Sequence, residues 1–110
     1  MKLGKAYKLR AISQNTNDIS DLIDDCMNFL RSLTLGKEAA EKLAAAERKL
    51  LEIENVNNID TKYKLEKAVL FHDIFELLES IAPEGCYFGS HPGDSAVMGF
   101  WDKALFSATR

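Results

Sequence analysis

The chain has 110 residues, with 14 basic and 17 acidic side chains and a formal net charge of −3. That length suits one domain spanning residues 1–110, and 46% hydrophobic residues fill a core without disulfides or a structural metal. The longest apolar run, Ala68-Val69-Leu70-Phe71, is cut by His72 and Asp73, far short of the ~20 residues of a membrane-crossing helix.

Residues 3–13 admit two readings. Leu3, Ala6, Tyr7 and Ala11 fit a helical face, while Tyr7, Leu9 and Ala11 alternate as a strand would. The abundance of Ala, Lys, Leu and Arg tips the balance toward helix over residues 5–12. Residues 1–17 carry Lys2, Lys5, Lys8 and Arg10 and no acid. They form a short helix or a basic arm. A solvated arm is preferred to a phosphate-contacting one, because no nucleic-acid motif accompanies the charges. Residues 13–17 are a polar break.

A helix is predicted over about 18–34. Ile19, Leu22, Ile23, Cys26, Met27, Phe29, Leu30 and Leu33 recur at steps of three and four. Asn17 or Asp18 caps it, and Gly36 stops it. A second helix, about 37–54, has a narrow stripe of Ala39, Leu43, Ala46, Leu50 and Ile53, as in a helical hairpin. After residues 55–58, Asp60 caps a third helix over about 61–81. Tyr63, Leu70, Ile74, Leu78 and Ile81 lie along one line. Leu65, Val69, Phe71, Phe75 and Leu77 widen it almost all round, which predicts a central helix. Pro83 ends it.

Glu84-Gly85 reads as a turn, and Cys86-Tyr87-Phe88 and residues 96–101 as strands. Between them Ser90-His91-Pro92-Gly93-Asp94 forms a reversal, a loop of five or more residues suited to a type II turn. Gly89 and Gly99 mark bulges or close backbone contacts. The expected fold class is α+β, mostly helical: three main helices and a C-terminal β-hairpin over about 86–101.

The densest group of site-forming residue types lies at the hairpin. Tyr87, Ser90, His91, Asp94, Phe100 and Trp101 are the candidate binding residues, because loops on rigid scaffolds carry recognition and polar-edged aromatics anchor interfaces. The plainer reading is a Gly/Pro-shaped turn in which Asp94 bonds backbone amides. Asp18, Asp21 and Asp25 fall on one helix face. They are either a solvated face favoured by the helix dipole or an acidic surface for a basic partner.

Cys86, His91 and Asp94 are the residue types of a nucleophilic triad, but their spacing along a strand and its tip opposes convergence. Cys26, His72, Cys86 and His91 show no paired metal-ligand spacing. No catalytic residue, metal or cofactor is therefore expected. Two cysteines are too few for a disulfide framework and read as small buried hydrophobes of a reducing compartment. No apolar segment follows the N-terminal lysines as in a secretory signal. A cytoplasmic location is expected.

The run Ile81-Ala82-Pro83-Glu84-Gly85-Cys86-Tyr87-Phe88-Gly89-Ser90-His91-Pro92-Gly93-Asp94, followed by Gly99-Phe100-Trp101, resembles the C-terminal signature of small uncharacterised proteins of phages and mobile elements. It covers about a fifth of the chain. Cys86 stands where that signature has Tyr, and Ser95 where it has a second Gly. The resemblance implies a genomic setting in which small proteins often bind host proteins, and it assigns no activity to named residues.

The expected function is a non-enzymatic protein-interaction module, including the form in which it inhibits a host protein. The expected partner is another protein or a second copy of the chain, with nucleic acid disfavoured and no membrane. The alternative is a small-molecule or nucleotide binder using the hairpin tip.

Overall fold

The computed structural model describes residues 2–14 and 18–106, with the side chains of Ser95, Leu105 and Phe106 excepted. The fold is α+β and mostly helical. In chain order it comprises a 3-10 turn at Lys5–Tyr7, β1 (Ala11–Ser13), α1 (Ile19–Arg31), α2 (Lys37–Ile53), α3 (Ile59–Ala68), a π-helical segment (Val69–Ile74), α4 (Phe75–Ile81), β2 (Cys86–His91), β3 (Asp94–Asp102) and α5 (Lys103–Phe106). No helix among the described residues is long and apolar enough to cross a membrane.

The helix expected at residues 5–12 is instead one 3-10 turn and a strand. The Leu3 amide donates to the Ile81 carbonyl at 2.8 Å and that of Leu9 to Phe100 at 2.9 Å. These long-range bonds hold the segment extended along α4 and β3, overriding its helix propensity. β1 thereby joins the hairpin in an antiparallel sheet of order β1-β3-β2. Gly99 permits that pairing. A Cβ there would lie 2.3 Å from the Arg10 carbonyl oxygen, so this glycine marks a close backbone contact.

The hairpin loop is shorter than expected. His91 pairs with Asp94, leaving only Pro92 and Gly93 between the strands. Gly93 does not take a positive φ, so the turn is not type II. Such a turn splays the strands of a hairpin. The register irregularity between the His91–Asp94 and Ser90–Met98 pairs absorbs the mismatch. The positive φ falls at Gly85 (78°), in the turn where the Cys86 amide donates to the Pro83 carbonyl.

Asp18 caps α1, its Oδ1 accepting from the Asp21 amide, whereas Asn17 lies outside the described residues. Gly36 does not stop α1. It is the residue before α2, and α1 ends five residues earlier, at Arg31 with Ser32 as its cap. α3 is capped by Asn58 rather than Asp60, because the Asn58 Oδ1 accepts from the Thr61 amide at 2.9 Å. Asp60 sits inside the first turn, where its charge still suits the dipole.

The core is built from Leu22, Ile23, Cys26, Met27 and Leu30 of α1, Ala39, Ala46 and Ile53 of α2, and the buried face of the π segment and α4. A chain of ring contacts runs through it: Tyr7–Phe29 (5.8 Å), Phe29–Phe100 (5.9 Å), Phe100–Phe88 (5.7 Å), Phe88–Phe75 (5.1 Å) and Phe75–Phe71 (5.1 Å). All but the tilted Phe29–Phe100 pair are edge-to-face, an arrangement that adds about 0.5–1.5 kcal/mol per pair beyond area burial. They couple the N-terminal turn, the sheet and the helices.

The third helix is central only in its second half. Val69, Leu70, Ile74, Leu77, Leu78 and Ile81 are buried, but α3 buries no residue at all. Tyr63, Leu65 and Phe71, expected inside, are 49%, 41% and 42% exposed. The apolar pattern continues past the point where neighbours cover it.

Candidate interaction surface

The hairpin residues are brought together, but Ser90, His91, Asp94 and Trp101 make polar contacts within the hairpin. His91 lies edge-on to Trp101 with ring centroids 4.8 Å apart. Its Nδ1 accepts from the Gly93 amide at 2.9 Å. The Trp101 indole N–H donates to the Gly89 carbonyl at 2.7 Å. The Ser90 hydroxyl contacts the Met98 sulfur at 3.2 Å, and Asp94 Oδ1 accepts from the Ala96 amide at 3.0 Å. Phe100 is fully buried and Trp101 is 4% exposed. Both rings are packed inward, whereas His91 is partly exposed and Asp94 exposed. Tyr87 is half-buried. The tip is a self-braced turn.

The acidic face divides in the same way. Asp18 is the α1 cap. Asp25 accepts from the buried Ser13 hydroxyl at 2.7 Å and binds β1 to α1. Asp21 is exposed beside them.

Cys86 and His91 stand at opposite ends of β2, about 17 Å apart at strand rise. Burial pushes the Cys86 thiol above its ordinary pKa, Asp102 adds to this, and Lys8 and Lys103 partly offset it. Burial and the neighbouring Asp25 push Cys26 up to about 12. Both cysteines are free and buried. A raised pKa keeps each thiol protonated and unreactive, the reverse of an activated nucleophile. Among the described residues no group of three or more His, Cys, Asp or Glu side chains could hold a metal ion.

The feature that sequence reasoning missed lies between α2 and α3. α2 runs antiparallel to the rod formed by α3, the π segment and α4. Where α3 leaves the core, a groove of about 430 Å³ opens. Ile53, Val56, Leu65, Ala68 and Val69 form its apolar part, and Lys49, Glu52, His72 and Asp73 its charged part. Lys49 Nζ meets Asp73 Oδ2 at 2.8 Å and pins the two helices together at one end. The wider π-helical turn begins here. It presents His72 on the groove wall while Leu70 and Ile74 stay in the core.

The other flank of α3 is also apolar. Ile59, 82% exposed, and Tyr63 lie one helical turn apart. Lys67 and Phe71 continue the same row, with the Lys67 ammonium 5.9 Å from the Phe71 ring centroid. Leu51 on α2 adds a further exposed leucine, at 61%. The sequence signal was present but ambiguous. Residues 59–68 mix Ile, Tyr and Leu with five charged side chains, a composition that fits a half-covered helix as well as a core one.

Comparison with known proteins finds no matching family model, no similar curated protein and no similar solved structure, so this surface is read on its own geometry.

Proposed function

We propose that the chain is a small non-enzymatic protein-interaction module of the cytoplasm, and that its contact surface is the α2–α3 groove, which receives an amphipathic helix. One observation carries this reading: α3 buries none of its residues yet exposes Ile59, Tyr63 and Leu65 beside an apolar groove. Contiguous exposed apolar surface rimmed by charge marks an interaction site. A groove between two antiparallel helices suits the i, i+3, i+4 anchors of a third. The tail resemblance suggests a phage or mobile-element setting, and the helix received belongs either to a host protein that binding inhibits or to a second copy of the chain. A small-molecule or nucleotide site at the hairpin tip is less well supported, because the polar atoms there already bond to the hairpin itself.

The test compares wild type, Leu65→Asp and the tip variant His91→Ala/Asp94→Ala as bait. A bound chain is then purified and titrated against all three. The reading expects the tip variant to bind like wild type and Leu65→Asp to lose at least about tenfold in affinity. Hydrogen exchange should slow over residues 53–69 on binding. Loss with the tip variant alone would return the contact to the hairpin, and no bound chain with no protection would remove the interaction reading.

A further inference from the structure

We infer that the helix received by the groove is α3 of a second copy of this chain, which inserts its Ile59–Tyr63 row. The inference rests on the groove reading above and names its occupant. α3 carries both halves of such a contact. Leu65, Ala68 and Val69 line the groove on one flank. Ile59 and Tyr63, at an i,i+4 spacing, stand out on another. A two-fold axis lets each copy place its row in the other's groove, so one contact is made twice and the assembly closes.

Charge supports the same pairing. Around the groove, Glu52 and Asp73 outnumber Lys49, and Asp73 is already held by Lys49 at 2.8 Å. Glu52 is exposed and forms no ion pair with a described residue. The inserted helix has the opposite balance: Lys62, Lys64 and Lys67 outnumber Asp60 and Glu66. Each groove thus presents an unbalanced carboxylate to a helix with an excess ammonium, and the two-fold axis duplicates the match. Such complementarity fixes register and disfavours wrong partners.

Sedimentation velocity on the full chain from about 1 μM to about 1 mM tests this. Wild type should dimerise within that range. Ile59→Asp should raise the dimer dissociation constant at least about tenfold. Ile59 is 82% exposed and opens the helix, where an added carboxylate suits the dipole, so the variant keeps its fold by circular dichroism. Glu52→Lys should weaken the dimer, and adding Lys62→Glu with Lys67→Glu in the same chain should restore it to within about threefold. A dimer indifferent to Ile59→Asp, or a charge reversal that restores nothing, would overturn the inference. A wild-type monomer throughout the range would overturn it too. If that monomer still binds another chain through Leu65, only the second-copy occupant fails. If it binds none, the groove reading fails as well.

Discussion

The Ser13 hydroxyl donates to the Asp25 carboxylate at 2.7 Å, joining β1 to α1 across twelve residues of sequence. Ser13 is 2% exposed, the only polar residue among the buried described residues. The two ends of this bond are unequal. Asp25 is only partly buried and can turn to water, whereas Ser13 cannot. Asp25→Ala should therefore cost about 1–3 kcal/mol by stranding the hydroxyl. Ser13→Ala, which removes the buried donor itself, should cost less. Urea midpoints of the two variants measure the order, and an equal or reversed order would place the stabilisation elsewhere in β1.

Gly99 is the second anchor of β1. Its missing side chain lets the Arg10–Ala11 backbone lie against β3. The nearest atom a Cβ would meet is a backbone carbonyl, which cannot rotate away as a side chain does. Gly99→Ala should destabilise the fold by about 2–3 kcal/mol, near the upper range for overpacking. Amide exchange of Leu9 and Phe100, which bond across this junction, should accelerate first. Gly36→Ala is the control, since a Cβ at Gly36 meets nothing within 4 Å.

The buried Cys26 thiol makes stability depend on alkaline pH. Burial and Asp25 raise its pKa from 9.0 to about 12. A raised pKa means that the native state holds its proton where the unfolded state releases it. The contribution is complete below pH 9 and is lost progressively as pH rises toward about 12. Stability measured by urea should fall over that window, and Cys26→Ala should flatten part of the fall. Native Cys26 should also resist alkylation at pH 8 and react only on unfolding, which mass spectrometry of pulse-labelled protein reads directly.

The legible parts of the fold were those set by local pattern. The stripe from Leu22 to Leu30 predicted the buried face of α1, and Ala39, Ala46 and Ile53 that of α2. The hairpin was visible in its aromatics and turn residues. β1 was not, because its strand state depends on partners about ninety residues away, Gly99 and Phe100. Nor could pattern show that cover ends within one apolar helix, leaving Tyr63 and Leu65 outside and Leu70 and Ile74 inside. The groove escaped the sequence reading for the same reason. Sequence concentrates unusual residues at the hairpin, where they brace a turn. The groove is lined by ordinary residues of two helices, and only packing brings them together.

The hairpin itself separates bracing from recognition by mutation. Trp101 is 4% exposed and its indole N–H is bonded to Gly89, so Trp101→Ala should cost about 3–5 kcal/mol. His91 sits at the partly exposed tip, where the Gly93 amide can turn to water once Nδ1 is gone. His91→Ala loses that bond and the ring contact with Trp101, for a cost of about 1 kcal/mol. If the tip is only a brace, His91→Ala should lower the unfolding midpoint slightly and leave partner affinity unchanged. A variant that keeps its midpoint but loses binding would instead make His91 a contact residue. Thermal melts and titrations on the same preparation decide between the two.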